Sequence, residues 1–556
     1  MPLLLLAALP AWAQPLAGTY TIGGATADYN TLADAITYIN NWGISGPVVF
    51  EILPGTYTGT DAQGSIDNLS GSSPTNTVTF RPRDGRGTVE LNPTGASGTN
   101  YVFQLSNSNY VTIEDLTLNN SDGTYGTDVA FTGTSSYNTV TRCLLKGSTS
   151  GTSSRNKSRV FADGLSGTGN VIAEDSIVNG SYAIYWNGDG SASGARFENN
   201  MMVEPYRGGV YLASSNDDQI LNNTIITDDA SISPDDFWGF WNEYTNGTQI
   251  IGNTLESPYV STYYYYPFYM YECNTQGTNK MLVRENTFNV STYGYFTGFE
   301  VYYSTNYDIS QNTVNMYNDN WYPQTNGLYV YNYPGGATYG NNTKKDSNSF
   351  NIETPNYGYI YFQSSYYGRN HSFSGNNVSI NTTGYIDQFY ANGDYVDKAK
   401  VSDNTINLQG NWGANAYISG YSSDSVLIEH NDFSLSTPDW YSYAYLYVFD
   451  YGKECKVRNN KIIVEGGTDG GTDVSAYSTS SGPNSLTNNE FSGNTFKGII
   501  NGSWPYGYAL RLGGGNNDKV FNNVIIGKST GSGAAMYGLY VDAWAGKYDV
   551  YNNTIA

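Results

Sequence analysis

Six acidic residues crowd into one short segment of the chain, and they are the strongest local candidates for chemistry. Glycoside hydrolysis needs two carboxylates at a defined separation, and Ca²⁺ is bound by six to eight oxygen ligands. Solvated turn residues explain the same pattern. The segment therefore assigns no catalytic residue and no metal ligand by itself, and Ca²⁺ binding is kept as an option. The six residues are Asp217, Asp218, Asp228, Asp229, Asp235 and Asp236.

Histidine and cysteine, the other side chains suited to catalysis or metal binding, are scarce. The two histidines, His371 and His430, are isolated in the sequence. His430 follows Glu429 at an expected turn, where a lone histidine is usually structural. The three cysteines are far apart, which excludes a disulfide framework and a cysteine-based zinc site. We expect Cys143 to face inward as a free thiol.

The formal net charge of −23 over 556 residues limits the partners that this chain can take. Binding to nucleic acid relies on clustered Lys and Arg that neutralise phosphates, and the sequence has no such cluster. Anionic membrane surfaces are disfavoured for the same electrostatic reason. We therefore expect no nucleic-acid partner.

Tyrosine is unusually frequent in this chain, with 53 residues. Side chains of a strand point alternately to its two faces. In the segment 327–333, Leu328 and Val330 are expected to point inward, so Tyr329 and Tyr331 point outward. The alternation predicts one outward aromatic residue per repeat, in a stripe along one face, with Tyr331 chosen over Tyr329 in its repeat. The predicted stripe comprises Tyr211, Trp241, Tyr271, Tyr302, Tyr331, Tyr361, Tyr390, Tyr417 and Tyr445, followed by Tyr477 and Tyr540.

Such a stripe has three interpretations. Aromatic residues on adjacent strands stabilise one another, which is a purely structural role. A large exposed apolar surface usually marks an interaction site, and the faces and phenol groups of Tyr suit the rings and hydroxyls of a long polysaccharide. The same surface could also mediate self-association or bind a protein. One repeat, with Ala509 and Arg511 expected on this face, interrupts the stripe.

The elements that must position these side chains belong to a repeat. The peptide at residues 220–226 (ILNNTII) returns almost unchanged at 520–526 (VFNNVII) and 457–463 (VRNNKII), and weaker copies occur throughout. The average spacing is about 29 residues, a period typical of solenoids, whose units bury a core only by stacking on their neighbours. The aligned positions are Asp115, Cys143, Asp175, Asn200, Asn223, Asn253, Asn286, Asn312, Asn348, Asn377, Asn404, Asn431, Asn460, Asn494, Asn523 and Asn553.

The recurring Asn has a predicted structural role. Between two strands the chain must turn sharply, and Asn tolerates the left-handed backbone region better than any other residue except Gly. Stacked about 4.8 Å apart, the side-chain amides can form a ladder of hydrogen bonds from repeat to repeat. The flanking Val, Ile and Phe side chains are then expected to point into the core.

Several segments resemble the right-handed parallel β-helix proteins of the pectin-lyase-like superfamily, and more narrowly the large secreted β-helix surface proteins of Bacteroidetes-type bacteria. Besides the Asn repeat, residues 18–23 (GTYTIG), 46–50 (GPVVF) and 53–57 (LPGTY) are similar to the opening of those domains, and 110–118 (YVTIEDLTL) is similar to an early coil. The resemblance implies an all-β fold, a right-handed parallel β-helix solenoid of about sixteen or more coils. It covers nearly the whole chain and says little about activity, because this fold hosts many functions.

Enzymes of this superfamily that cleave acidic polysaccharides carry motifs that this sequence lacks. A methylesterase-like Gly-x-Tyr-x-Glu is approached at residues 55–59 (GTYTG), without the Glu. A polygalacturonase-like site needs paired Asp, then Gly-His-Gly, then Arg-x-Lys. The paired acids exist, but Gly-His-Gly is absent and residues 155–157 (RNK) precede the acids. The resemblance therefore assigns no catalytic residue.

The first residues of the chain predict export. Residues 1–13 are interpreted as a signal peptide, because their apolar run is too short to span a membrane and ends in an Ala-x-Ala cleavage pattern. Residues 14–60 are expected to form an N-terminal cap and first coil, with a helix at 31–39, capped by Asn30, that covers the open edge of that coil. Residues 61–556 are the predicted β-helix, which ends inside a repeat and is expected to be truncated at its C-terminus.

Three functions are consistent with these observations. The favoured hypothesis is an exported, non-catalytic β-helix protein, secreted or at the cell surface, that binds polysaccharide or cell-surface glycan through its Tyr stripe, as adhesins do. The second is a polysaccharide lyase or glycoside hydrolase, with its acids between 217 and 236 or at an unrecognised site. The third is a structural spacer or self-assembling filament. No cofactor is expected apart from the optional Ca²⁺, and no membrane insertion.

Overall fold

The computed structural model describes residues 14–148, 151, 153–228, 236–260, 264–275, 279–320, 324–332, 340–439, 442–468, 470–478, 486–502, 506–542 and 547–556. The fold is an all-β parallel β-solenoid of about 17 turns with very little helix. Contacts between Cα atoms divide the chain into two units, one formed by residues 1–205 and 214–216 and the other by residues 206–213 and 217–556. The predicted signal peptide, residues 1–13, lies outside the described residues. In the described part, no helix is long and apolar enough to cross a membrane.

In the first unit the strands form three parallel sheets, because each strand pairs with its counterpart in the next coil. The strands of sheet 1 are Leu16–Ile22, Ile44–Ile52, Val78–Pro82, Val111–Glu114, Thr139–Thr141, Val171–Ala173 and Arg196–Glu198. Those of sheet 2 are Gly55–Thr58, Val89–Asn92, Thr117–Asn120, Leu144–Gly147, Ser176–Val178 and Met201–Val203. Those of sheet 3 are Gly64–Asp67, Phe103–Ser106, Val129–Thr132, Val160–Leu165 and Tyr182–Gly188. Two 3₁₀ turns span Gly59–Ala62 and Arg155–Lys157.

The second unit repeats the same three-sheet coil. Sheet 1 comprises Gln219–Leu221, Gln249–Ile251, Met281–Arg284, Tyr307–Ser310, Lys344–Asp346, Ser372–Ser374, Lys400–Ser402, Leu427–Glu429, Lys456–Arg458, Glu490–Ser492, Asn516–Phe521 and Lys547–Tyr551. Sheet 2 comprises Thr224–Ile226, Thr254–Val260, Thr287–Thr292, Thr313–Asn318, Ser349–Thr354, Asn377–Thr382, Thr405–Gly410, Asp432–Ser436, Lys461–Gly466, Thr495–Ile500, Val524–Ser529 and Thr554–Ile555. Sheet 3 comprises Gly208–Ala213, Asp236–Glu243, Tyr264–Tyr271, Tyr295–Tyr302, Gln324–Tyr331, Tyr359–Gln363, Tyr385–Tyr390, Gly413–Tyr417, Ala444–Gly452, Thr472–Ser478, Tyr506–Gly513 and Ala535–Asp542. A short pair, Gly368–Arg369 with Val396–Asp397, lies outside these sheets.

One α-helix, Leu32–Trp42, is present among the described residues, and it covers the first strand of sheet 3. Its N-cap is Thr31, which forms a capping box with Asp34, so the prediction of Asn30 as the cap was wrong. The Asn40 amide donates to the carbonyl of Ser65 (2.8 Å) and accepts from the backbone N–H of Asp67 (2.9 Å). A side chain thus takes the place of a neighbouring strand, and the predicted capping role of the helix is confirmed.

A ladder of buried Asn side chains joins the coils of the second unit, between sheet 1 and sheet 2. Each Asn Nδ2 donates to the Oδ1 of the Asn in the next coil at 2.8 to 3.1 Å. The same Nδ2 also donates to a strand carbonyl of the preceding coil, as Asn253 does to Ile220 (2.8 Å). Every amide is therefore satisfied inside an apolar core. The buried members are Asn223, Asn253, Asn286, Asn312, Asn348, Asn376, Asn404, Asn431, Asn460, Asn494 and Asn523. The half-buried Asn553 accepts from the last of them.

Three details of the predicted ladder were wrong, for one backbone reason. The left-handed residue is the one before the ladder Asn: Asn222 has φ of 53°, and Asn223 follows it with its side chain turned into the core. In the coil after Asn348, the left-handed residue is Gly375, so the ladder residue is Asn376 and not the exposed Asn377. It also places Asp115 (φ 59°) on the turn, outside the ladder.

In the first unit the ladder positions are more varied. Cys143 is buried as a free thiol, as predicted, and its backbone N–H donates to Oδ1 of the buried Asp175 (2.6 Å). Burial raises the pKa of Asp175 well above its ordinary value. Asp175 Oδ2 has no hydrogen-bond partner among the described residues, and it stands where a ladder amide donates to the preceding coil. We infer that Asp175 acts as a protonated substitute for Asn.

Asp175→Asn is expected to stabilise the protein by about 1 kcal/mol or more, because the amide supplies a permanent donor. With its raised pKa, Asp175 holds a proton in the folded state where the unfolded chain releases it. The stability of the wild-type protein therefore falls as pH rises above about 4, and the advantage of the variant grows with pH. Guanidinium unfolding at pH 5 and pH 8 measures this difference. The matched control is Asn286→Asp in the intact ladder, which should destabilise increasingly with pH, and an equal advantage of Asp175→Asn at both pH values would contradict the protonated state.

Candidate functional site

The outward face of sheet 3 in the second unit carries the aromatic side chains, and pairing between coils places one of its positions in continuous register. We call this line the central row. It consists of Tyr211, Trp241, Tyr269, Glu300, Tyr329, Gln363, Tyr390, Tyr417, Tyr447, Ser475, Arg511 and Tyr540. The rings are half-buried rather than fully exposed, because each covers part of its neighbours.

All the predicted stripe residues lie on this outward face, but they do not form a single line. Tyr211, Trp241, Tyr390, Tyr417 and Tyr540 are on the central row. One line two residues further along the strands contains Tyr271, Tyr302, Tyr331 and Tyr477. Another line two residues earlier contains Tyr361 and Tyr445. The expectation of one stripe was wrong, because alternation identifies the outward face and leaves the register between coils undetermined.

The repeat around Arg511 also differs from its prediction. A register shift before Arg511 turns both Ala509 and Leu510 into the core, so Ala509 is buried and Tyr508 takes the outward position. The Arg511 guanidinium lies 5.3 to 5.9 Å from the ring centroids of Tyr477, Tyr508 and Tyr540. The cation therefore fills a gap in the aromatic surface.

Glu300, which the sequence analysis did not single out, occupies a ring position on the central row. It pairs in register with Tyr269 on one side and Tyr329 on the other, and only 8% of it is exposed. The Tyr302 hydroxyl donates to Glu300 Oε1 at 2.7 Å. Burial raises the pKa of Glu300 to about 7, although the Tyr302 hydrogen bond acts in the opposite direction. The sequence could have indicated this residue, because strand alternation places Phe299 and Val301 inward and leaves Glu300, an acid, at an outward position where other repeats have an aromatic residue.

Two hollows meet at Glu300. The first, the Glu300 groove, has a volume of about 440 Å³. The second, the tryptophan hollow, has a volume of about 580 Å³ and shares Tyr266, Glu300 and Tyr302 with the first. The groove is lined by Tyr264, Tyr266, Tyr295, Phe296, Thr297, Glu300, Tyr302, Gln324, Asn326, Tyr329, Tyr361, Phe362, Gln363 and Gln388. The tryptophan hollow is lined by Trp238, Trp241, Tyr266, Tyr269, Tyr271, Glu300, Tyr302 and Tyr303.

Ring geometry differs along the outward face of sheet 3. Directly around Glu300, Trp241 and Tyr269 stand at 75°, Tyr269 and Tyr302 at 51°, and Tyr302 and Tyr329 at 67°. Tyr266, which lines both hollows, stacks on Trp238 and on Tyr264. Further along, Tyr390, Tyr417 and Tyr447 stack almost parallel at 4.4 and 4.6 Å, with interplanar angles of 10° and 8°. Stacked rings use their faces on one another, whereas tilted rings leave concave space between them.

A second acidic region lies beside the stacked rings. Burial, and then the nearby Asp394, raises the pKa of Asp450 to about 6. Burial also raises the pKa of Asp394, whose Oδ1 accepts from the backbone N–H of Tyr421 (2.7 Å). These carboxyls adjoin rings whose faces are already occupied.

The acids predicted between 217 and 236 serve separate local contacts. Asp217, at φ of 53°, accepts from Asn279 Nδ2 (2.8 Å). Asp218 is buried, and Asp228 lies at the end of the described stretch. Asp236 pairs with Arg207 (3.3 Å) at the border of the tryptophan hollow. Asp229 and Asp235 lie outside the described residues.

The histidines are not arranged for catalysis. His371 is buried inside the solenoid, where its Nδ1 lies 3.3 Å from Lys345 Nζ and its Nε2 lies 3.2 Å from Ser364 Oγ. Burial lowers the pKa of both Lys345 and His371 well below their ordinary values, which favours the neutral form of each. His430 is at a turn with φ of 54°, as expected. In the part of the chain that the structure describes, no three His, Cys, Asp or Glu residues are grouped to hold a metal ion.

No protein-family model and no curated protein matches the chain. Among solved structures, it is similar to an Azotobacter vinelandii mannuronan C-5 epimerase A-module (11% identity, 95% of this chain and 96% of that one, TM-score 0.26). It is also similar to the PL6 family alginate lyase AlyGC (10%, 92% and 98%, TM-score 0.28). A third is the catalytic domain of a GH87 α-1,3-glucanase in complex with tetrasaccharides (10%, 96% and 70%, TM-score 0.23). The strand pairing of the chain itself establishes its parallel β-solenoid.

The carboxyl of Glu300 is expected to titrate near pH 7, and Tyr302→Phe is expected to move its midpoint upward, because the lost hydrogen bond favours the charged form. Infrared difference spectra between pH 5 and pH 9, with the Glu300→Gln protein subtracted, report the protonated carboxyl directly. A midpoint below pH 5 in the wild-type protein, unchanged by Tyr302→Phe, would contradict the burial of this group.

Proposed function

We propose that this chain is a carbohydrate-binding protein whose ligand lies in the Glu300 groove and the adjoining tryptophan hollow. The observation that carries the proposal is the pair of connected hollows that meet at Glu300, between rings of Trp241, Tyr269, Tyr302 and Tyr329 that stand edge-on or tilted to one another. Tilted Tyr and Trp rings present apolar faces to the C–H faces of a sugar while their hydroxyl and N–H groups stay at the rim. Concave aromatic surfaces with a few polar groups are the usual form of such sites.

The polar lining suits the hydroxyl groups of a sugar. Gln324, Gln363, Gln388 and Asn326 each offer both a donor and an acceptor. Asn326 is held in place by donating from Nδ2 to Thr297 Oγ1 (3.1 Å), while Gln388 is exposed at the edge. Aromatic faces and side-chain amides are thus interleaved along the outward face of successive strands. An extended chain of sugars lying across the coils would contact both kinds of group.

We further propose that the protein has an adhesin-like role. In such a role the protein acts outside the cell, at its surface or secreted, and holds polysaccharide without changing it. The predicted signal peptide supports this location. The two hollows together are lined by residues of six successive coils, which supports a long ligand over a small one.

An enzymatic role has one observation in its favour, the raised pKa of Glu300. A carboxyl that titrates near pH 7 can serve as a general acid. Glycoside hydrolysis by the usual route needs a second carboxylate at a defined separation. Among the described residues that line the two hollows, Glu300 is the only acid. Binding without cleavage is therefore the better-supported function.

Tyr329→Ala should weaken polysaccharide binding about 10-fold, a loss of about 1.4 kcal/mol, because it removes one wall of the Glu300 groove. Affinity electrophoresis across a panel of soluble polysaccharides, followed by calorimetry on the best ligand, measures the change. The matched control is Tyr137→Ala, an exposed ring of the first unit that stacks on Tyr110. Tyr417→Ala distinguishes the groove from the whole stripe: an equal loss in Tyr417→Ala would contradict a ligand confined to the groove.

Incubation of the protein with the same polysaccharides, with and without Ca²⁺, is expected to generate no new chain ends. New reducing or unsaturated ends that appear with the wild-type protein and disappear with Glu300→Gln would replace the binding role by an enzymatic one.

A further inference from the structure

We propose that the Glu300 groove selects uncharged polysaccharides and excludes polymers of uronic acids. This inference rests on the proposed carbohydrate-binding function and names the class of ligand. It is based on the distribution of charge on the outward face of sheet 3. A carboxyl lies at the centre of the site, and the nearest arginines of this face are paired with other carboxylates.

No cationic side chain is found among the described residues that line the groove and the tryptophan hollow. Arg207, which adjoins the hollow, lies over the Trp238 ring (4.5 Å) and pairs with Asp236 (3.3 Å). Arg511, on a distant coil of the same face, pairs with Asp473 (3.6 Å) and Asp542 (3.3 Å). A uronate would enter the groove without a cation to compensate for its lost hydration, which is costly at a half-buried site.

Glu300 adds a specific penalty against anions. Its carboxyl is held between Tyr269 and Tyr329 on the neighbouring strands and receives a hydrogen bond from Tyr302 on its own strand. A second carboxylate brought into this half-enclosed space would repel the ionised form of Glu300, because Coulomb interactions are weakly screened there. The net charge of −23 acts in the same direction over longer distances.

Among Glu300 and the side chains that face it, only Glu300 is expected to change its charge between pH 6 and pH 8.5. On its own strand Tyr302 faces it, on the preceding strand Tyr266 and Tyr269, and on the following strand Tyr329. Burial raises the pKa of each of these phenols above its ordinary value, so they stay neutral through the physiological range. Ionisation of Glu300 therefore adds the one new charge, and discrimination against uronates increases as pH rises through about 7.

The groove matches a neutral sugar instead. Side-chain amides and phenols can donate and accept, as sugar hydroxyls do, and neither requires a charged partner. Protonated Glu300 can donate to a hydroxyl, and ionised Glu300 can accept from one. A neutral glycan is therefore compatible with both states of the carboxyl, whereas a uronate, which already lacks a compensating cation, is also repelled once the carboxyl ionises.

The test compares neutral polymers (xylan, glucomannan, laminarin and hydroxyethylcellulose) with alginate and polygalacturonate, by affinity electrophoresis and calorimetry at pH 6 and pH 8.5. At least one neutral polymer should bind at both pH values, and each uronate polymer should bind at least 10-fold more weakly. The gap should widen by a further several-fold at pH 8.5 in the wild-type protein. In Glu300→Gln, which keeps the shape of the side chain, the gap should not change with pH.

The outcomes separate the two proposals. Uronate binding that equals neutral binding and is weakened by Tyr329→Ala would overturn the charge selectivity and leave the carbohydrate-binding function in place. A neutral polymer bound equally by wild type and Tyr329→Ala would place the ligand elsewhere and overturn the inference about this groove. If the protein binds none of the polymers, neutral or acidic, both proposals are overturned. Circular dichroism of each variant checks that it is folded.

Discussion

The buried Asn ladder is the constraint on which the second unit depends. An amide in an apolar core must satisfy two donors and an acceptor, and here each does so with the coil before and the coil after. In the ladder this group lies immediately after a left-handed residue that turns the chain between sheet 1 and sheet 2. The ladder therefore sets where every coil begins its second strand. Loops of different length are absorbed elsewhere in the coil.

The regular stacking of coils at the Asn ladder also aligns the strands of sheet 3. Because the strands of sheet 3 are aligned by the same stacking, residues at one position of successive coils form the central row. Neighbouring rings stabilise each other by about 0.5–1.5 kcal/mol per pair, so a run of stacked Tyr such as Tyr390, Tyr417 and Tyr447 is explained by stability alone. Glu300 interrupts this pattern at a position where a ring would be more stabilising. A buried carboxyl retained at that cost is the feature that separates the groove from the structural part of the row.

The sequence was sufficient for the fold and insufficient for the site, and the reason is physical. The period of about 29 residues and the Asn motif identify a stacked solenoid, because both recur whatever the loops do. Alternation also identifies which side chains face inward, as Leu328 and Val330 show. Alternation is local, however, and the pairing of Tyr269 with Glu300, or the register shift that buries Ala509, depends on how one coil lies on the next. The left-handed residue was displaced by one position for a similar reason, since Asn222 and Asn223 are both Asn and only burial distinguishes them.

Buried ionisable groups occur in both the interior and the groove, and their surroundings tell the two roles apart. Lys345 and His371 satisfy each other and their Thr343 and Ser364 neighbours inside the core, where no ligand can reach them. In the first unit Arg159 is fully buried with Asp128 (3.4 Å) and donates to the carbonyl of Lys146 (3.0 Å). In each of these cases the hydrogen bonds go to other groups of the protein interior, although Arg159 Nε has no partner among the described residues. Glu300 instead faces two hollows and receives a hydrogen bond from the Tyr302 hydroxyl. A perturbed pKa alone would not distinguish these groups, whereas the open volume beside the carboxyl does, because only there can a ligand change the energy of its ionisation.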